Sequence, residues 1–221
     1  MFVQEFVDKN YRTYKIISFN FCFNDDNFDK FKQDITRLDP DIVALQDVES
    51  KKMSDIKSFM EGYDSDYYCS SEDSKRAEKL TLMMFVKKNI KVNLFTGSGL
   101  IRPEEFECGY VRTLIVDLMI NDCEIRIINV NLKSAIDSEQ IRLAQLDVIK
   151  SSIKQSTIII GNFNSIPYSK TIQKLSLLKF NSVYPLNKNM NTYIFYNDLC
   201  IKILSVLKAE KAEMIGCVFM I

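Results

Sequence analysis

Apolar residues fall along this chain in short runs, and the spacing inside each run separates strands from helices. Residues 14–23 (YKIISFNFCF) are mostly β-branched and aromatic, which predicts a strand. The period then changes over residues 25–38, where Phe28, Phe31, Ile35 and Leu38 recur at helical spacing, with Asp25 or Asp26 as N-cap and Pro40 as the stop. Residues 41–46 (DIVALQ) predict a buried strand, and residues 51–60 a helix with Met53, Ile56, Phe59 and Met60 on one side. Strand, helix, strand, helix in that order argues for an α/β fold.

Further on, residues 63–69 predict an edge strand, residues 70–79 a charged, serine-rich loop, and residues 97–109 a second long loop. Residues 80–86 and 91–96 are strands joined by a tight turn at Lys88-Asn89, while 110–120 and 123–132 form a hairpin about Asn121-Asp122. A helix is predicted over 138–152, with one stripe of Ile141, Gln145, Val148 and Ser152 and another of Leu146, Ile149 and Ile153. A short helix over 169–178 and late strands at 192–196, 200–207 and 213–221 complete the chain. No internal repeat or low-complexity segment interrupts it, so one domain spanning 1–221 is expected.

The stretch on which the pattern turns is residues 157–165, TIIIGNFNS. Thr157 to Ile160 form the β-branched run of a buried strand, followed at once by Gly161, a polar loop and Pro167. Open α/β sheets place their sites outside the carboxyl ends of such strands.

Composition narrows the chemistry. The 221 residues carry 29 basic and 29 acidic side chains, so the basic excess of a dedicated nucleic-acid binder is missing. There is no histidine, which removes Ser-His, Cys-His and His-ligated metal mechanisms. The six cysteines (Cys22, Cys69, Cys108, Cys123, Cys200, Cys217) form no CxxC pair and mostly adjoin apolar residues, so thiols in a reducing, cytoplasmic compartment are expected rather than zinc. The start, MFVQEFVDKNYRT, has the acidic residues and short apolar runs that argue against a signal peptide, and no membrane span is expected. The Ile-, Lys-, Asn- and Phe-rich usage without Trp suits an AT-rich genome, such as that of a large DNA virus.

Four stretches, in order, carry a resemblance to a known family. KIISFN ends at Asn20; PDIVALQDV contains Asp47; NVNLKS, followed by EQIRLAQL, contains Asn131, Arg142 and Gln145; GNFNS contains Asn162 and Asn164. Together they resemble the motifs of the endonuclease/exonuclease/phosphatase superfamily, the phosphodiesterases similar to DNase I and AP endonucleases. The resemblance implies a four-layer α-β-β-α sandwich of the DNase I-like type. It implies that Asp47 stands where an acidic residue binds Mg²⁺, Asn131 where a catalytic His belongs, and Asn162 where an Asp handles the attacking water. Past Ser165 the likeness thins: Thr192 replaces Asp in a DYIF-like strand, and Glu213 with Met214 fall where Asp and His are expected. Outside the resemblance these residues have plain readings: Asn20 and Asn164 as strand-end caps, Asp47 and Glu49 as solvated acids, and Arg142 with Glu139 as a helix-surface pair.

The substitutions decide the expected function. A neutral amide at Asn162 takes no proton, Asn131 gives no imidazolium-like donor, and Met214 has no polar hydrogen. A degenerate, catalytically inactive member is therefore expected, kept as a protein-interaction or structural/regulatory subunit through the loops at 70–79 and 97–109 and exposed aromatics such as Tyr67, Tyr68 and Phe106. No catalytic or substrate-binding residue is expected, Asn20, Asp47, Asn131, Asn162, Asn164, Glu213 and Met214 being vestigial positions. No cofactor is expected beyond weak Mg²⁺ at Asp47 and Asn20, with Glu49, Asp198 or Glu213 as conceivable additions. Two alternatives stay open. One is a divergent Mg²⁺-dependent nuclease or phosphoesterase built on Asn20, Asp47, Asn162 and Asn164. The other is a non-catalytic nucleic-acid-binding module with Lys133, Arg102, Arg112 or Arg142 facing phosphates.

Overall fold

The computed structural model describes residues 2–7, 13–21, 26–70, 80–96, 112–120, 123–134, 137–154, 156–166, 168–178, 180–182, 192–197 and 202–204. The expected loop at 97–109, the last expected strand at 213–221, Arg102, Phe106, Asp198, Glu213 and Met214 lie outside the described residues.

Two six-stranded sheets form the centre. The first contains β1 (Phe2–Val7), β2 (Thr13–Asn20), β3 (Ile42–Glu49), β4 (Tyr63–Ser70), β5 (Leu80–Lys87) and β12 (Lys202–Leu204), in the order β12-β1-β2-β3-β5-β4. The second contains β6 (Lys91–Thr96), β7 (Arg112–Ile120), β8 (Cys123–Asn131), β9 (Thr157–Asn162), β10 (Asn181–Ser182) and β11 (Thr192–Asn197), in the order β10-β11-β9-β8-β7-β6. Among the described residues each sheet holds one parallel pair: β2 with β3, crossed over through α1 (Asp26–Leu38), and β8 with β9, crossed over through α3 (Glu139–Lys150). Parallel neighbours need such a crossover because their ends lie at opposite edges.

Three apolar layers follow from strand alternation. Ile16, Ile42, Ala44, Leu82, Met84 and Val86 of the first sheet meet Leu114, Val116, Ile127, Ile158 and Ile160 of the second. The odd-numbered partners Ile17, Val43, Leu45, Met83 and Phe85 face outward onto Phe31 and Ile35 of α1 and Ile56 of α2 (Met53–Phe59). On the far side, Ile128, Val130, Ile159 and Phe163 pack against Leu146 and Ile149 of α3 and Ile172 and Leu175 of α4 (Lys170–Leu177). The result is the expected α-β-β-α sandwich. Burial of each such side chain contributes about 1.5–3 kcal/mol before ordering costs.

Local chemistry sets the element ends. Asp39 takes φ 45° behind α1 and donates its N–H to the Ile35 carbonyl at 2.9 Å, and Pro40 prevents continuation. Ser169 caps α4, accepting from the Ile172 N–H at 3.3 Å. The expected tight turn at Lys88-Asn89 joins β5 to β6 and, because β5 lies in the first sheet and β6 in the second, carries the chain between layers. The segment Phe2–Val7, which the sequence left unassigned, is a strand paired antiparallel with β2. Among the described residues no helix is long and apolar enough to cross a membrane.

Candidate functional site

The inward-facing rows change character toward one end of the sandwich. Along β2 the row reads Ile16, Ser18, Asn20; along β8 it reads Ile125, Ile127, Asn129, Asn131; along β9 it reads Ile158, Ile160, Asn162. The apolar centre thus gives way to hydroxyl and amide groups at the carboxyl ends of both parallel pairs.

Alternation alone would point Asp47 away from this row, because Gln46 already occupies the inward position. A bulge reverses that. The ladder between β3 and β5 jumps from Leu45↔Met83 to Val48↔Thr81, so Gln46 and Asp47 together oppose one residue, and Asp47 takes φ 52°. Bulges re-aim side chains in this way. Asp47 Oδ2 accepts from Asn20 Nδ2 at 3.1 Å, and its Oδ1 accepts from Asn131 Nδ2 of the opposite sheet at 2.6 Å.

The other amides extend this arrangement. Asn164, at φ 46°, donates through Nδ2 to Asn131 Oδ1 at 3.4 Å and to the Leu132 carbonyl at 2.7 Å, and its backbone N–H donates to Asn162 Oδ1 at 3.0 Å. Asn tolerates the left-handed region better than most residues, which suits it to this seat. Gly161 sets Asn162 in place: at φ +137° it lies so close to β8 that a Cβ there would sit 2.1 Å from the Val130 carbonyl oxygen. Asn20, Asp47, Asn131, Asn162 and Asn164 therefore converge. Glu49, read from sequence as a solvated acid after the strand, lies within β3 and pairs with Lys51 at 2.7 Å.

Arg142 and Gln145 brace the site rather than face solvent. Gln145 is buried and its Oε1 accepts the Lys133 N–H at 3.0 Å, while Arg142 is 5% exposed and donates to the Lys133 carbonyl at 3.1 Å. Burial pushes the Arg142 guanidinium below its ordinary value, with Glu139 and Asp137 opposing that shift. The helix-surface reading of Arg142 is thus corrected: its guanidinium is buried and donates to the loop after β8. The sequence also passed over Ser18, Gln46 and Asn129. All three are fully buried. The signal available was a polar residue on the inward beat of an otherwise apolar strand.

As a donor set the cluster offers one carboxylate and several neutral amides, and among the described residues no three His, Cys, Asp or Glu side chains converge. Mg²⁺ is commonly held through one or two carboxylates, with waters and substrate phosphate completing its shell. One carboxylate at a strand end meets the lower bound of that requirement, so the residues fit a weakly held, hydrated ion rather than an all-protein cage.

No family model matches the sequence, and no curated protein matches it significantly. Solved structures do. The human Nocturnin catalytic domain with bound sulfate superposes with a TM-score of 0.67 at 17% identity, covering 90% of this chain and 89% of that one. An endonuclease/exonuclease/phosphatase from Bacteroides vulgatus gives 0.64 at 16% identity, over 82% and 86%. ANGEL2, a 2′,3′-cyclic phosphatase in complex with adenosine-2′,3′-vanadate, gives 0.62 at 15% identity, over 80% and 77%. This chain has the endonuclease/exonuclease/phosphatase fold. The expectation that it is no enzyme is thereby corrected: the Nocturnin catalytic domain and the phosphatase ANGEL2 are built on the same architecture, so the fold gives no ground for inertness.

Proposed function

We propose that this chain is a slow, divergent Mg²⁺-dependent phosphoesterase or nuclease whose site is centred on Asp47. The observation that carries the reading is convergence: Asn20 of β2 and Asn131 of β8, from opposite sheets, meet at Asp47 of β3, and Asn164 and Asn162 at the end of β9 join them through Asn131. A phosphoryl group is the ligand such a mouth suits, because amide N–H groups donate to its oxygens and a carboxylate opposes it only once.

In this reading Asp47 holds the cation, and Asn20 and Asn131 fix the carboxylate's orientation by donating to its two oxygens. Asn164 orients Asn131 in turn. Asn162 presents an amide that donates to a phosphoryl oxygen or aligns the attacking water, without accepting its proton. A divalent cation, when bound, supplies the charge that a phosphodiester transition state requires. With no histidine in the chain and an amide at Asn162, more than one acid–base contribution is missing, each typically about 10²–10⁴-fold, so turnover is slow. Nocturnin's bound sulfate and ANGEL2's adenosine-2′,3′-vanadate, each in its own protein, support a phosphate-like ligand for this fold.

The test is turnover by purified protein with Mg²⁺ or Mn²⁺ on single-stranded RNA and DNA, 2′,3′-cyclic nucleotides and simple phosphoesters. We expect metal-dependent hydrolysis of at least one class, reduced at least about 10²-fold by Asp47→Ala. Hydrolysis that persists unchanged in that variant, or none with any substrate, contradicts the proposal.

A further inference from the structure

Asn129 has no exposed surface and follows Ile125 and Ile127 on the inward row of β8, paired with Leu114 of β7 and Ile160 of β9. An apolar residue would fill that place without needing partners, so its polar bonds call for an explanation. All of them end where β3 and β5 lose register, at the bulge. Asn129 Nδ2 reaches across to the Leu45 carbonyl at 3.0 Å and the Met83 carbonyl at 3.2 Å, the pair at which the ladder breaks register. Its Oδ1 accepts from Gln46 Nε2 at 2.8 Å, and Gln46 Oε1 accepts from Ser18 Oγ at 3.3 Å. Gln46 is the first bulged residue and Asp47 the second.

We infer that Asn129 is a positioning residue: it clamps the β3 bulge from the facing sheet and so holds Asp47 turned inward toward Asn20 and Asn131. Carbonyls in a regular ladder lie in the plane of their sheet and bond to adjacent strands. At the bulge two of them accept from a side chain of the other sheet, and this donation fixes the local path on which the positive φ of Asp47 depends. The residue touches neither substrate nor metal and acts through the backbone. This inference deepens the proposed function, since the carboxylate it aims is the one assigned to the cation.

The test uses the full chain and reads two things separately. Side-chain amide signals of Asn20 and Asn131 in ¹H–¹⁵N spectra, assigned with Asp47→Ala, report the bonds to Asp47 without any metal. Manganese affinity, measured by titration calorimetry with MnCl₂, reports the consequence. Asn129→Leu, of similar volume, should move both amide signals toward free-amide positions and weaken Mn²⁺ about 10–100-fold, as loss of an orienting partner does. A merely structural role would lower the urea midpoint and leave those signals in place, and that result overturns the inference. If wild type binds no Mn²⁺ yet the signals move in Asn129→Leu, the proposed function falls while the positioning role stands. Should Asn129→Leu fail to fold, Asn129→Ser removes the amide donations to the Leu45 and Met83 carbonyls without adding volume. Displaced amide signals there support the inference, and unmoved ones overturn it.

Discussion

One carboxylate outside the site is buried on its own cations and carries a pH-dependent share of stability. Asp117 of β7 has no exposed surface, and its carboxylate accepts from Arg126 Nε and Nη2, both at 2.7 Å, and from Lys154 Nζ at 2.9 Å. Burial alone would raise its pKa; the hydrogen bonds from Arg126 and Lys154 overcome this and hold it below the ordinary carboxylate value. A lowered folded-state value means that the stabilisation is complete above the unfolded pKa of about 4 and is lost as pH falls through the folded one. Arg126→Met leaves a buried charge with a single cationic partner. It should cost about 3–5 kcal/mol at pH 7 by urea unfolding, and the gap to wild type should narrow at pH 3. A gap independent of pH would remove this account of the pair. The sequence offered Asp117 only as one polar beat in a strand, because the partners lie on β8 and beyond α3.

Elements were legible where burial fixes the pattern. Thr157 to Ile160 read as a buried strand because β9 lies between β8 and β11, with Ile158 and Ile160 facing the sheets' common core and Ile159 facing the helices. The amphipathic spacing of Phe28, Phe31, Ile35 and Leu38 likewise gave α1. The bulge in β3 was not legible, since a register shift depends on the partner strand and leaves no mark in Leu45-Gln46-Asp47-Val48 itself. On α3 the spacing gave the helix but not its burial: Arg142 turns inward because the loop after β8 presents a carbonyl that needs a donor. Gly161 belongs to this scale, since an added Cβ would meet the Val130 backbone of β8. Gly161→Ala should destabilise by more than about 1 kcal/mol, read as a lowered thermal midpoint, because the backbone must move away from Val130. A midpoint equal to that of wild type would show that the close approach carries no cost.

Across the whole molecule, the site exists only where two sheets meet. Asn20 and Asp47 come from one sheet, Asn131 and Asn162 from the other, and the bond from Asn131 to Asp47 joins the two. The four motif stretches announced this meeting, because each ends a strand with a polar residue at the same edge. What they left open was the sign of the functional conclusion. Amides in place of acids read as loss of chemistry, whereas the architecture is one on which enzymes are built. The central claim is that Asp47 still works as the seat of a cation at this edge. Anomalous diffraction at the manganese edge, from crystals of the full chain soaked in MnCl₂, tests it most directly. We predict a peak bonded to an Asp47 carboxylate oxygen and absent from Asp47→Ala crystals; no peak at Asp47, or one that survives its removal, would contradict the account.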